Sequence, residues 1–492
     1  MPHLNLRLPL LAALAVALGA CSGAAPASPP SAASGPPARP NVLLITVDDL
    51  RPALGAYGDP RAVTPHLDAF AETGVLFERA YVHQAICAPS RAHLLTGLRP
   101  DALGYYGIGP TVRETHPDHT TLPQLFREAG YTTVEVRGKV FHHVDDDPLA
   151  WTRQTPTERE GGLRGFQTAE GRRLEARPGS ARGGRGPAWE RADVPDAAYR
   201  TARVAEAAIG ELAAFAESGE PFFLAVGFRK PHLAFIAPEW AWAAHDGTDW
   251  GPPPNAAPPR GMPAVAATNY GELRRYARTP ASGPVPDSTA RRLRQGYYAA
   301  TTFVDQEVGR ILDALDAQGL AETTVVVVWG DHGYKLGEHG MWAKHTHFEI
   351  DNRVPLLVRA PGLTPAGARS DGLVETVDVY PTLAGLAGLR VPEAVQGTSL
   401  APLLRDPARA GRSAAFWVYP RHARDPARHT MGRTVRTPRF RYTEWRRVAD
   451  DALVARELYD HAADPLETRN VAEEPAYQTA ALDAARRLAS GP

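Results

Sequence analysis

The sequence predicts an α/β protein: a large, mixed but mainly parallel β-sheet with helices on both sides, followed by a smaller C-terminal unit built on an antiparallel sheet. Three observations carry this. Residues 41–47, 222–226, 325–329 and 355–358 are short runs with apolar residues at consecutive positions, the pattern of strands buried on both faces. Residues 121–128, 199–216 and 291–318 lie among them with apolar residues at helical spacing, such as Leu293, Tyr297, Val304, Val308, Ile311 and Leu315 in the last. Strands alternating with helices point to helices packed on a sheet. Beyond about residue 410 the period changes to two, in 416–420, 433–436 and 439–445, with 457–460 as a further strand and 480–489 as a closing helix, which reads as antiparallel strands.

From the start of the chain, residues 4–20 form an apolar run with Arg7 as its firm positive charge. The run is too short for a comfortable membrane span and has the length of a signal h-region. It ends in Leu18-Gly19-Ala20-Cys21, which resembles a bacterial lipobox. On that reading residues 1–20 are a lipoprotein signal peptide. Cys21 then carries the lipid that ties the exported protein to a membrane, in the periplasm or at the outer membrane. An ordinary signal peptide that happens to contain a cysteine is the alternative. Residues 21–40, dominated by Pro, Ser and Ala, read as a tether.

The 492 residues exceed the usual size of one core, so a large domain over 41–412 and a smaller one over 413–492 are expected. A hydrophobic share of 43% and a net charge of −1 are those of an ordinary globular protein, with no overall field to recruit nucleic acid. The 152–192 stretch, rich in Arg, Gly and Glu, and the 245–290 stretch, rich in Pro and Ala, read as long loops over the sheet. Loops of that length usually carry function or are disordered. No internal repeat is visible.

Asp48 and Asp49 close the first run, and Asp331 and His332 close the run at 325–329. In open α/β sheets ligands gather at the carboxyl ends of strands. Adjacent carboxylates are costly to hold together without a cation, and hard oxygen ligands favour calcium or magnesium. Asp48, Asp49, Asp331 and His332 therefore form a candidate metal site, although the first pair also reads as a helix cap at a solvated turn.

Cys87-Ala88-Pro89-Ser90-Arg91, followed by Leu94-Leu95-Thr96-Gly97, resembles the signature of the formylglycine-dependent (type I) sulfatases. The resemblance extends over nearly the whole chain from residue 40. It implies the alkaline-phosphatase-superfamily fold and oxidation of Cys87 to formylglycine by a separate maturation enzyme. The hydrated aldehyde offers one oxygen to attack sulfur and a second to expel sulfate, which a thiolate does not. A helix starting near Cys87 would favour an anion there, and Arg91 would hold it. Gly138-Lys139-Val140-Phe141-His142 matches the family's Lys-x-x-His segment. By that match Lys139 contacts sulfate and His142 is the base that releases it. The match of Lys230-Pro231-His232 makes His232 a sulfate ligand and the acid for the departing alcohol, and Lys344 maps to a sulfate-binding lysine. The resemblance also implies one bound divalent metal, calcium, with Cys87 beside its four ligands. Asp48 to Pro52, 222–235, 330–333, 336–340 and 439–445 are most similar to the iduronate-2-sulfatase branch, as is histidine at 332. This implies a sulfated sugar as substrate. The 152–192 loop departs from that pattern.

Two other readings stay open. A phosphatase or phosphonate hydrolase of the same superfamily would share the sheet and metal site, although Cys87 with its motif speaks against it. A lipoprotein that only binds sulfated glycans would result if Cys87 were never converted.

Overall fold

Consecutive apolar residues in the central strands make one sheet with a core on each face. In the computed structural model, strand Asn41–Asp48 lies between strands Thr324–Gly330 and Phe222–Pro231 and runs parallel to both. Side chains of a strand point alternately to opposite faces. Accordingly Val42 and Leu44 join Phe223, Ala225, Val325 and Val327 in one apolar cluster. Leu43, Ile45 and Val47 join Leu224, Val226, Val326 and Val328 in the other. Removing a large side chain from such a core, as in Leu43→Ala, costs about 2–5 kcal/mol.

The structure describes residues 37, 39–143, 146–157, 165–176 and 185–492, all within one compact unit. The expected signal peptide, Cys21 and nearly all of the tether lie outside them. Nine strands form the main sheet, in the order Arg353–Val354, Val75–Tyr81, Leu356–Arg359, Thr324–Gly330, Asn41–Asp48, Phe222–Pro231, Thr132–Val136 and Arg153–Thr155, with Ala368–Glu375 also paired to Val75–Tyr81. Pairings on the Thr132–Val136 side are parallel, and Leu356–Arg359 runs antiparallel to both its neighbours, so the sheet is mixed and mainly parallel, as expected. Helices Arg200–Ser218 and Asp287–Ala317 cover one face through Ala205, Leu212, Val304, Val308, Ile311 and Leu315. Helices Cys87–Thr96, Leu122–Glu128 and Val379–Leu386 cover the other through Leu94, Leu95, Phe126 and Leu383. Among the described residues no helix is long and apolar enough to cross a membrane.

Strands Ala415–Arg421, Thr430–Arg436, Phe440–Arg447 and Leu453–Asp460 form a separate antiparallel sheet. Helix Gln478–Ser490 packs on it through Ala481 and Ala484 against Val435, Tyr442 and Leu458. Tyr81 of the main sheet stacks on Trp417 at 5.4 Å. Glu349 accepts hydrogen bonds from Tyr81 Oη at 2.6 Å and Arg436 Nε at 2.9 Å, which ties the two sheets together.

The two long loops are ordered differently. Within 152–192, Arg153–Thr155 adds an edge strand to the main sheet, Ala169–Glu175 is helical, and Trp189–Ala192 pairs with Phe235–Pro238. Residues 245–286 are irregular apart from the short turns Ala264–Ala266 and Leu273–Arg275, and the long helix begins at Asp287, earlier than its apolar spacing indicates.

Candidate active site

Parallel pairing puts the acidic groups together. Val47 lies opposite Gly330, so Asp48, Asp49, Asp331 and His332 emerge at the same sheet edge. Asp49 adopts a left-handed backbone, φ 63°. Its N–H donates to Asp331 Oδ1 at 2.9 Å and its carbonyl accepts from Tyr297 Oη at 2.7 Å, which compensates for a conformation unusual in non-glycine residues.

Cys87 is the first residue of helix Cys87–Thr96, after an extended Ile86, and the helix is buried throughout. Its thiol lies 3.2 Å from His332 Nε2 and 3.4 Å from Lys344 Nζ. Burial pushes the Cys87 thiol well up, and Asp48 adds to this while Lys344 opposes it. As cysteine it is held as a thiol, a poor nucleophile. One turn further on, Arg91 Nε donates to Asp331 Oδ2 at 2.9 Å, and Nη1 donates to Thr46 Oγ1 and Val140 O at 3.0 Å each and to Lys139 O. Its Nη2 pairs with Asp48 Oδ1 at 3.5 Å. Ser90 Oγ donates to the Asp331 carbonyl.

Two lysines complete the ring. Lys139 Nζ lies 3.6 Å from Asp48 Oδ2, and Lys344 Nζ lies 2.6 Å from Asp49 Oδ1. Burial alone would raise the Asp48 carboxyl, but Lys139, His232 and Arg91 hold it well below the usual range. Burial pushes Asp331 up to about 6 in spite of Arg91. His142 sits next to Lys139, and burial, with Lys139 second, drives its imidazole down to about 2. His232 directs Nδ1 at the Leu233 carbonyl, 2.6 Å away.

The donor set fits a hard divalent cation. Asp48 Oδ1 and Oδ2 and Asp49 Oδ2 are buried and accept no hydrogen bond, a costly state for a carboxylate unless a cation is bound. Ligand atoms of Asp48, Cys87, Asp331 and His332 lie within 4.8 Å of one another, as do those of Asp48, Asp49, Cys87 and His232. His332 Nδ1 donates to the Gly333 carbonyl at 3.0 Å, and its Nε2 lies 3.3 Å from Asp49 Oδ1 and 3.6 Å from Asp331 Oδ1. The structure thus gathers every internal site residue expected from the sequence into one cluster. It adds Thr46 and Ser90 as supports, and Glu272, whose Oε1 lies 3.2 Å from His232 Nε2. Glu272 belongs to no recognisable motif, and only the tertiary fold brings it there.

The whole chain has four lysines among 54 basic residues: Lys139, Lys230, Lys335 and Lys344. All four are buried. Lys139 and Lys344 face the carboxylates, Lys335 pairs with Asp351 at 2.6 Å, and Lys230 Nζ donates to the His232 carbonyl at 2.9 Å. Every exposed cationic side chain of the lysine–arginine pair is therefore an arginine.

Residues 40–389 match the Sulfatase family model, and residues 337–490 match the model described as N-sulphoglucosamine sulphohydrolase, C-terminal. The chain is 34% identical to iduronate 2-sulfatase of Mus musculus and of Homo sapiens, with 88% of this chain and 90% of each relative covered. Among solved structures it is similar to a protein in complex with its substrate D-glucosamine-2-N,6-O-disulfate, at TM-score 0.71 and 22% identity over 92% of this chain and 97% of that one. It is also similar to a phosphonate monoester hydrolase from Silicibacter pomeroyi, at TM-score 0.71 and 25% identity over 92% and 95%. These likenesses place the fold in the alkaline phosphatase superfamily. With the signature helix, the carboxylate cluster and a family match over most of its length, the chain belongs to the sulfatase family, enzymes that hydrolyse sulfuric esters.

Proposed function

We propose that this sulfatase hydrolyses sulfate monoesters of a sulfated sugar, using formylglycine made from Cys87 and one calcium ion. The observation that carries the reading is the position of Cys87. It sits at the start of a buried helix, against His332 and Lys344, beside carboxylate oxygens that lack donors. Relatives named for sulfated sugars, iduronate 2-sulfatase and the Δ4,5-hexuronate-2-O-sulfatase of Bacteroides thetaiotaomicron at 30% identity, support the substrate class.

Asp48, Asp49, Asp331 and His332 would hold the cation, and oxygen-rich, carboxylate-dominated ligation suits calcium. When bound, the cation neutralises the carboxylates and polarises a sulfate oxygen. Formylglycine, as its hydrate, supplies one hydroxyl to attack sulfur and another whose deprotonation expels sulfate. The chain's own residues do the rest. Arg91, Lys139 and Lys344 spread the negative charge on the sulfate oxygens. His232 protonates the departing alcohol oxygen. His142, beside Lys139, accepts a proton from the second hydroxyl. The likeness to a phosphonate monoester hydrolase at 25% identity favours a secondary activity on phosphonate monoesters.

Upstream, the proposal includes export and lipid attachment at Cys21, with maturation of Cys87 by a formylglycine-generating enzyme. The test starts with peptide mass spectrometry across Cys87 in protein from the native host, followed by sulfate release from 4-nitrophenyl sulfate and from a 2-O-sulfated hexuronate disaccharide. Aldehyde or hydrate at Cys87 with sulfate release is expected. Protein carrying the aldehyde that releases no sulfate from either ester would overturn the reading. For the anchor, Cys21→Ala is expected to abolish labelling by radioactive palmitate; equal labelling of both proteins refutes it.

A further inference from the structure

We infer that Tyr297 is a positioning residue for the metal site, whose hydroxyl holds Asp49 in the backbone conformation that brings two neighbouring carboxylates to one point; the inference rests on the calcium reading above. Successive side chains of a strand point to opposite faces, so Asp48 and Asp49 would diverge if the strand ran on. Instead the strand ends at Asp48, and Asp49 is left-handed at φ 63°. That turn lets the Asp49 carboxylate join the cluster. Its Oδ1 lies 2.6 Å from Lys344 Nζ and 3.3 Å from His332 Nε2, and its Oδ2 is buried and accepts no hydrogen bond. Residues other than glycine seldom adopt this conformation, and it persists where the surroundings over-determine it.

Tyr297 supplies that constraint. Its hydroxyl donates to the Asp49 carbonyl at 2.7 Å and accepts from the Arg51 N–H at 3.0 Å. One oxygen thus clasps the turn from both sides, using its proton and a lone pair. A rigid frame holds the hydroxyl in turn. Tyr297 lies within helix Asp287–Ala317 and is fully buried. Its ring stacks on Tyr334 at 5.6 Å and meets Phe235 edge-on at 5.7 Å. Tyr334 follows His332 by two residues, and its carbonyl accepts from Arg51 Nη1 at 3.3 Å. The same nitrogen pairs with Glu338 at 2.7 Å. The two chain segments that carry Asp49 and His332 are thereby locked to each other through Tyr297 and Arg51. The helical spacing marks Tyr297 only as a core residue; its ring is one, and its hydroxyl has this separate task.

Preorganised ligands show themselves in metal affinity, which separates positioning from a merely structural role. Tyr297→Phe keeps the ring and deletes the hydroxyl. Purified wild type and Tyr297→Phe are stripped with a chelator and titrated with calcium alone, by calorimetry and by melting temperature. Loss of the clasp should weaken calcium binding by about 10- to 100-fold, the range for removal of a group that orients a metal ligand. A given calcium concentration should then raise the melting temperature of the variant less than that of wild type. A merely structural hydroxyl would lower the melting temperature equally with and without calcium and leave the dissociation constant unchanged, and that result overturns the assignment. Calcium release into excess chelator, started from the loaded and folded proteins, gives a second reading that does not need the stripped variant to fold. Release should be faster from Tyr297→Phe, and equal rates refute the clasp. Wild type that binds no calcium would overturn the proposal together with the metal reading beneath it, whereas equal affinities in the two proteins overturn the proposal alone.

Discussion

Replacing Arg91 by Met tests the idea that a single guanidinium makes the carboxylate cluster foldable. Met has a similar length and no charge. The change removes the 2.9 Å hydrogen bond to Asp331, those to Thr46 and Val140 at 3.0 Å, and the pairing with Asp48 at 3.5 Å. All the side chains concerned are buried. Removing one partner of a buried ion pair typically costs about 3–5 kcal/mol, because the remaining charge stays buried and uncompensated. That is a large part of the ~5–15 kcal/mol that holds a typical protein folded. Arg91→Lys should fall between wild type and Arg91→Met, because it restores the charge while one ammonium cannot span the partners of a planar fork. The assay is urea unfolding followed by tryptophan fluorescence, at fixed calcium. Because Arg91→Met leaves the carboxylates short of positive charge, added calcium should stabilise it more than it stabilises wild type. A Met variant within about 1 kcal/mol of wild type would refute the role given to Arg91.

Other outcomes follow from the same geometry. Cys87→Ala should abolish sulfate release while leaving the unfolding midpoint close to that of wild type, since the change removes only the formylglycine hydroxyls or, in unconverted protein, the sulfur; residual turnover would contradict the nucleophile. Chelation should lower the melting temperature and readdition of calcium should restore it, with a stabilisation of about 2.7 kcal/mol at a hundred times the dissociation constant; an unchanged melting temperature would argue against a resident cation. Acid sensitivity is expected as well. His83, His93 and His347 have pKa values held well below 6.5, burial being the largest cause in each. They stay neutral in the fold while the unfolded chain takes up protons. Their contribution is complete above pH 6.5 and is lost as pH falls toward the folded values, at up to about 1.4 kcal/mol per pH unit for each histidine. His93→Gln should make the loss of stability below pH 6.5 shallower; an identical acid limb would show that His93 does not contribute.

Legibility of the fold followed burial. Strands buried on both faces announced themselves as unbroken apolar runs, as at Val42 to Val47. Val75–Tyr81, Thr132–Val136 and Ala368–Glu375 escaped because they carry Glu78 and Arg79, Thr133 and Glu135, and Arg369 and Asp371 in mid-strand, so no run or clean alternation marks them. The candidate site was readable where its groups are tied to strand ends or to a local motif: Asp48 with Asp49, Asp331 with His332, and Cys87 with Arg91. Lys139, His142, His232 and Lys344 stand out only by resemblance, since a lone lysine or histidine has many uses. Glu272 and Arg185, whose Nη1 lies 3.4 Å from Glu272 Oε1, were not readable at all. Each is an ordinary charged residue in irregular chain, and their meeting depends on how two distant loops fold over the sheet.

The placement of the four lysines has a practical consequence. The folded body offers no exposed side-chain amine, so acylating reagents, amine cross-linkers and lysine-directed tags find no target there while the fold is intact. Slow labelling at Lys335, which is paired with Asp351 outside the carboxylate cluster, would report opening of the fold itself. Cleavage at lysine by a lysine-specific protease would do the same, which makes both reactions direct clocks for the unfolding of this protein.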